Sequence, residues 1–113
     1  MTHDKMKAIK IVDELMSFYL KIGIVDIHID FNYGEKQTEV HLRGECHNPP
    51  IKKLEKLETV LNTPRQPELE EYYWELVGNS DYYQEITLLG ALVDSGEVDY
   101  SDHQLKVKVI RKR

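Results

Sequence analysis

A period of two in the hydrophobic pattern is the feature that most constrains how this chain can fold. Apolar side chains alternate with polar ones over residues 25–32, and the same alternation returns over residues 38–43. Strands with one apolar and one polar face are half buried, which is typical of antiparallel sheets. The segment YGEK at residues 33–36 predicts a turn that joins them into a hairpin. Two more strands are predicted around residues 97–100 and 104–110.

Helical periodicity precedes and separates these strands. Residues 4–22 carry apolar side chains at spacings of three and four, followed by Gly23, which predicts an amphipathic helix that ends there. Shorter helices are predicted at residues 51–61, 69–77 and 82–93. The order of elements predicts an α+β fold, a two-layer sandwich with the helices packed on one face of an antiparallel or mixed sheet.

Length and composition predict a single domain over residues 1–113. Prolines at residues 49–50 and at 64 and 67 interrupt regular structure, which indicates a helical insert, assigned to residues 47–80. Fifteen basic and twenty acidic residues give a net charge of −5, which disfavours nucleic-acid binding because the phosphate backbone is itself negative. The basic run Arg111, Lys112, Arg113 after the last predicted strand is expected to be a solubilising end and not a binding arm. No apolar run approaches the roughly 20 residues of a membrane span. The single Cys46 excludes an internal disulfide, so we expect a cytoplasmic protein.

Residues 88–100 read LLGALVDSGEVDY, residues 105–109 read LKVKV and residues 14–23 read ELMSFYLKIG. These three stretches resemble parts of the GHKL-type ATPases, the superfamily of anti-sigma-factor serine kinases and sensor histidine kinases. The first two are similar to the closing helix and hairpin of that fold, and the third resembles its opening helix. The resemblance implies a histidine kinase-like ATPase fold, with the insert at residues 47–80 in the place of the family's lid and Glu14 at the position of its water-activating carboxylate.

All three nucleotide motifs of that family are altered in this chain. The resemblance places Phe18 where the family has its magnesium-binding asparagine, and a phenyl ring offers no oxygen ligand. Residues 44–48, GECHN, replace the adenine-binding Asp-x-Gly-x-Gly turn. Tyr83 and Glu85 add bulk and negative charge where the family's glycines hold phosphate. The resemblance therefore implies a degenerate ATP site with no bound cofactor, in which Glu14 is a solvated helix carboxylate or, alternatively, a surviving base.

The first hairpin carries two histidines on its polar face. A turn at residues 33–36 would set His28 opposite His41, close enough for both imidazoles to bind zinc. No cysteine or third histidine is placed to complete a tetrahedron, so the alternative is an ordinary hydrated sheet face. His28 and His41 are thus candidates for a metal site, and the sequence favours no metal.

An acidic segment at residues 68–83 contains five aromatic residues. Aromatic side chains are common anchors of protein interfaces because they bury much area with few torsions. We predict that Trp74, with Tyr72 and Tyr73, contacts a partner, although the same residues could simply complete the core.

The sequence as a whole favours a non-catalytic regulatory or protein-binding module on a GHKL-like, anti-sigma-like scaffold, with a protein partner or as a homodimer. The alternatives are a divergent ATP-binding serine kinase that uses Glu14, and a metal-binding protein that uses His28 and His41.

Overall fold

The periodic segments that fall within the described residues become regular elements, and the helix predicted at residues 69–77 lies outside those residues apart from Glu70. The computed structural model describes residues 3–65, Glu70 and residues 86–113. The elements within those residues are α1 (Asp4–Lys21), β1 (Ile27–Tyr33), β2 (Gln37–Glu45), α2 (Ile51–Leu61), α3 (Ile86–Leu92), β3 (Ser95–Ser101) and β4 (Gln104–Lys112). Gly23 adopts a left-handed conformation, with φ of 94°, just after α1 ends, as expected of a glycine at a helix C-terminus.

The four strands form one antiparallel sheet in the order β1-β2-β4-β3. Burial alternates along β2 and β4, so that one face of these strands is buried and the other is exposed. Val40, Leu42, Leu105, Val107 and Val109 point to the buried face. The predicted α+β class, with an antiparallel sheet and helices packed against it, is confirmed.

The helices lie side by side over the buried face. α1 packs on β1 and β2, α2 packs on β3, and α3 contacts both of the other helices. α1 is therefore the outermost described helix on the β1 side of the sheet, and α2 is the outermost on the β3 side. Residues from all three helices join the sheet in one hydrophobic cluster.

Tyr19 fixes α1 to the two central strands. Its ring is fully buried, and its hydroxyl lies 3.0 Å from the carbonyl oxygen of Leu105 and 3.2 Å from that of Leu42. A buried tyrosine needs such a polar partner, since an unpaired hydroxyl would be costly.

The register of the first hairpin differs from the prediction. Tyr33 pairs with Thr38, and the Gly34 N–H donates to the Gln37 carbonyl, so the chain turns over residues 34–37, one residue later than the predicted turn at 33–36. Opposed residue numbers therefore sum to 71 where the predicted turn gave 69. A shift of two keeps each side chain on its predicted face but changes its neighbour across the strands.

Among the described residues, no helix has both the length and the apolar character needed to cross a membrane.

Candidate functional site

A buried ion pair joins Arg111 of β4 to Glu70. The guanidinium of Arg111 binds the Glu70 carboxylate through Nη2 to Oε2 at 2.9 Å and Nη1 to Oε1 at 3.2 Å. Lys7 Nζ lies 2.7 Å from the same Oε2. All three side chains are fully buried. A carboxylate that accepts from one arginine and one lysine can remain ionised inside a protein.

Four further charged residues extend this pair into a network. Asp4 Oδ1 lies 3.2 Å from Arg111 Nε, and its Oδ2 lies 3.4 Å from Arg113 Nε. On the other side, Arg65 Nε lies 3.5 Å from Glu70 Oε1, and its Nη1 lies 3.3 Å from Asp94 Oδ2. The network thus joins the start of α1, the segment after α2 and the end of β4.

The electrostatics of the network favour the charged forms. Burial alone would raise the pKa of the Glu70 carboxyl, but hydrogen bonds from Arg111 and Lys7 outweigh it and hold the pKa below its ordinary value. Each charge of the network has an opposite charge beside it. We interpret the network as structural, because the charged groups that the structure describes here are engaged with one another.

Arg111 corrects a prediction made from the sequence. The run Arg111, Lys112, Arg113 was expected to be a solubilising basic end, but β4 extends to Lys112 and Arg111 is only 1% exposed. The signal was present, because position 111 continues the period of two set by Leu105, Val107 and Val109 on the buried face.

Glu14 is buried, which contradicts the expectation of a solvated helix carboxylate. It is 5% exposed, and Lys10 Nζ lies 3.4 Å from its Oε2. Within the described residues, no group donates a well-oriented hydrogen bond to that oxygen. Burial raises the pKa of the Glu14 carboxyl despite the nearby ammonium of Lys10. Phe18, one turn further along α1, is also buried.

The histidines of the first hairpin are not opposed. His28 pairs with Arg43, and His41 pairs with Asp30. The imidazole of His28 instead lies 3.6 Å from the carboxylate of Asp26, just before β1. The imidazole of His41 lies 3.6 Å from the carboxylate of Glu39, on β2 itself. Within the described residues, no cluster of three or more histidine, cysteine or acidic side chains could hold a metal ion.

The exposed face of the sheet carries ordered rows of charge. Two rows of side chains cross the four strands, each with a cationic or imidazole side chain on β2 and β4 and a carboxylate on β3. In the order β1, β2, β4, β3, the first row is Asp30, His41, Lys108 and Glu97, and the second row is His28, Arg43, Lys106 and Asp99. An open depression of about 560 Å³ is lined by the charged residues of both rows except His28. Its lining contains both signs of charge, so it selects no simple ion.

An apolar surface lies at the β1 side of the molecule. On α1, four large apolar side chains occupy an arc of about 80° at 3.6 residues per turn. On the edge strand β1, the apolar side chains toward the helices are only partly covered. We call these residues the β1 edge surface: Met6 (50% exposed), Ile9 (63%), Met16 (37%) and Leu20 (52%), with the half-buried Ile27 and Ile29 and with Phe31 (44%).

The two edges of the sheet are finished differently. At β3, the side chain of Asn62, just after α2, accepts a hydrogen bond from the Gly96 N–H at 3.1 Å and donates one to the Gly96 carbonyl at 2.8 Å. The Glu58 carboxylate accepts a hydrogen bond from the Val98 N–H at 3.4 Å. At β1, in the part of the chain that the structure describes, no side chain or loop makes an equivalent bond. The β1 sequence IHIDFNY also lacks the lysine and proline that often protect an edge strand.

The predicted partner-binding residues Trp74, Tyr72 and Tyr73 lie outside the described residues. The β1 edge surface was not predicted, because sequence periodicity does not show which side of a sheet the helices leave uncovered.

Comparison of the chain with models of known protein families, with curated proteins and with solved structures gave no match. The resemblance to GHKL-type ATPases therefore stays a prediction.

Proposed function

We propose that this chain is a non-catalytic protein-binding module, with a regulatory role, on a degenerate GHKL-like scaffold. The observation that carries the proposal is the β1 edge surface, where an edge strand without described caps lies beside an exposed apolar stripe of α1. Edge strands recruit a further strand through main-chain hydrogen bonds, and apolar neighbours add burial to that contact.

The environment of Glu14 supports a non-catalytic role. A general base must come within hydrogen-bonding distance of the proton that it removes. The Glu14 carboxylate is buried beside Lys10, with Phe18 on the same side of α1. The rival proposal, a divergent ATP-binding serine kinase that uses Glu14, would require this region to open.

Calorimetric titration with Mg-ATP separates these two proposals. For the non-catalytic module we expect no heat of binding up to millimolar nucleotide. Binding in the micromolar range would support the kinase and contradict our proposal. The minority proposal, metal binding through His28 and His41, predicts stoichiometric zinc in purified protein that disappears in His41→Ala.

A comparison of variants tests the protein-binding role of the surface. Ile9→Lys with Met16→Lys places two charges in the apolar stripe of α1. Ile51→Lys is the matched control, because Ile51 is also exposed, at 56%, but begins α2 on the far side of the helix layer. Partners recovered from the native host by the unmodified chain and the control, and lost with the double variant, would support the proposal. Equal recovery with all three proteins would contradict it.

A further inference from the structure

We infer that the β1 edge surface binds a second copy of this chain, by antiparallel pairing of β1 with β1 of the other copy in a register that opposes His28 to Asp30. The inference rests on the proposed protein-binding function and names its partner. It follows from the hydrogen-bonding phase of β1, the charges on its polar face and the apolar side chains on its other face.

The hydrogen-bonding phase of β1 follows from two contacts at the strand ends. The Gly34 N–H donates to the Gln37 carbonyl at 3.0 Å, and the Cys46 N–H donates to the His103 carbonyl at 2.7 Å. Because bonding alternates along antiparallel strands, odd-numbered residues of β2 bond to β1, and even-numbered residues of β1 bond back. The main-chain groups of Ile27, Ile29 and Phe31 therefore point away from the sheet.

A second β1 strand can bond to these groups in several registers, and charge selects one of them. If opposed residue numbers sum to 58, His28 of each copy faces Asp30 of the other, giving two favourable contacts about the two-fold axis. If the numbers sum to 60, the two Asp30 carboxylates face each other, which is unfavourable. The first register is therefore preferred.

The same register buries the exposed apolar side chains of β1. Ile29 of each copy faces its symmetry mate, and Phe31 faces Ile27 of the other copy, on the side of the sheet that α1 occupies. The joined sheet has eight strands. α1 is the outermost described helix on this side, so the two copies of α1 lie next to each other across the axis, and the stripe that contains Ile9 and Met16 gains a partner.

The charged rows on the exposed face also become continuous. In one copy Asp30 belongs to the row that contains His41 and Lys108, and in the other His28 belongs to the row that contains Arg43 and Lys106. Pairing of Asp30 with His28 joins the two rows end to end. Asp30 then lies between two imidazoles, one from each copy.

Exchange of charge between two variants tests this register. In His28→Asp, two carboxylates oppose each other at both contacts, and in Asp30→Lys, an ammonium opposes an imidazole at both. The dimer dissociation constant is measured by sedimentation equilibrium. For each variant alone we expect it to be about tenfold or more above that of the unmodified chain. An equimolar mixture should form a heterodimer, because the carboxylate introduced at position 28 then faces the ammonium introduced at position 30, and the native pair remains at the other contact.

Each result decides the inference. Weakening in both single variants with recovery in the mixture supports it. A dimer that is unaffected by either variant uses another surface, and a chain that stays monomeric to hundreds of micromolar has no such dimer, so both outcomes overturn it. Recovery also shows that the variants are folded, and Asp99→Lys, on the polar face of β3, controls for added charge.

The inference and the proposed function can fail separately. A monomeric chain that still loses a host partner on Ile9→Lys with Met16→Lys keeps the protein-binding function and overturns the dimer. Micromolar binding of Mg-ATP contradicts the non-catalytic function and leaves the charge exchange to decide the dimer.

Discussion

Arg111 and Glu70 face each other in the interior with two hydrogen bonds, of 2.9 and 3.2 Å, and neither side chain is more than 1% exposed. Arg111→Met would leave the carboxylate of Glu70 buried with only part of its cationic environment. Breaking a buried pair from one side costs about 3–5 kcal/mol. We expect a loss of that size in the free energy of unfolding, measured by urea denaturation.

The control for this change is Lys112→Met, one residue away on the exposed side of β4, which should alter stability by less than about 0.5 kcal/mol. A second comparison is the pair of Arg111→Met and Glu70→Gln, whose combined cost should be smaller than the sum of the single costs. Additive costs would contradict direct coupling between the two residues.

Acid should weaken the protein through the same network. In Asp4, as in Glu70, burial raises the pKa but hydrogen bonds, here from Tyr33 and Arg111, outweigh it, so both carboxyl pKa values lie below the ordinary 3.8 and 4.5. A lowered pKa in the folded state means that the unfolded state binds protons first. The stabilisation is therefore present above about pH 4.5 and is lost as the pH falls through the folded values.

Urea denaturation at several pH values between about 7 and 3 measures this effect. Glu70→Gln should be less stable than the unmodified chain at neutral pH, and the difference should shrink as the pH falls. A constant difference across that range would contradict the assignment of Glu70 as an ionised partner.

Glu14 should act in the opposite direction. Its pKa is raised by burial, so the folded state binds the proton more tightly, and stability falls as the pH rises from 4.5 through the folded pKa. Glu14→Gln removes this penalty and should increase the free energy of unfolding at neutral pH on the order of 1 kcal/mol. Near about pH 4 the gain should vanish.

The matched control is Glu55→Gln, an exposed glutamate of α2 that should be neutral at both pH values. If the Glu14→Gln variant is clearly less stable than the unmodified chain at neutral pH, the contact of Glu14 with Lys10 outweighs the cost of burying the carboxylate.

Gly96 is needed because α2 ends against it. A Cβ at this position would lie 2.6 Å from both Cβ and Cδ1 of Leu61, which is fully buried. Overpacking of this kind costs about 1–3 kcal/mol, so we expect Gly96→Ala to lower the thermal midpoint by several degrees. Ser101→Ala, at an exposed position of the same strand, should leave it nearly unchanged.

The elements of this fold could be predicted because each has a clear period. The apolar spacing of α1 and the glycine at 23 placed its end to within a residue, and α2 was predicted at residues 51–61, where it lies. The register of the first hairpin could not be predicted, because the polar residues around Gly34 suit a turn at residues 33–36 as well as one at residues 34–37. The pairing of His28 with Arg43 followed from that shift of one residue in the turn.

The charged interior was missed for a different reason. Charge usually indicates exposure, so Arg111 and Glu14 were expected in solvent although both occupy buried positions of otherwise apolar patterns. A lysine, an arginine and a glutamate that are distant in sequence can be recognised as partners only after the topology has brought them together. The β1 edge surface depends in the same way on the order of the strands, which no local pattern contains.

The contacts of Asp4 with Arg111 and Arg113 place the beginning of α1 beside the end of β4. A short polar linker could therefore connect residue 113 to residue 3, and new termini could be opened between Asp102 and His103, in the two-residue turn of the second hairpin. Such a circularly permuted chain would keep the sheet and its network while reversing which strand of that hairpin is synthesised first.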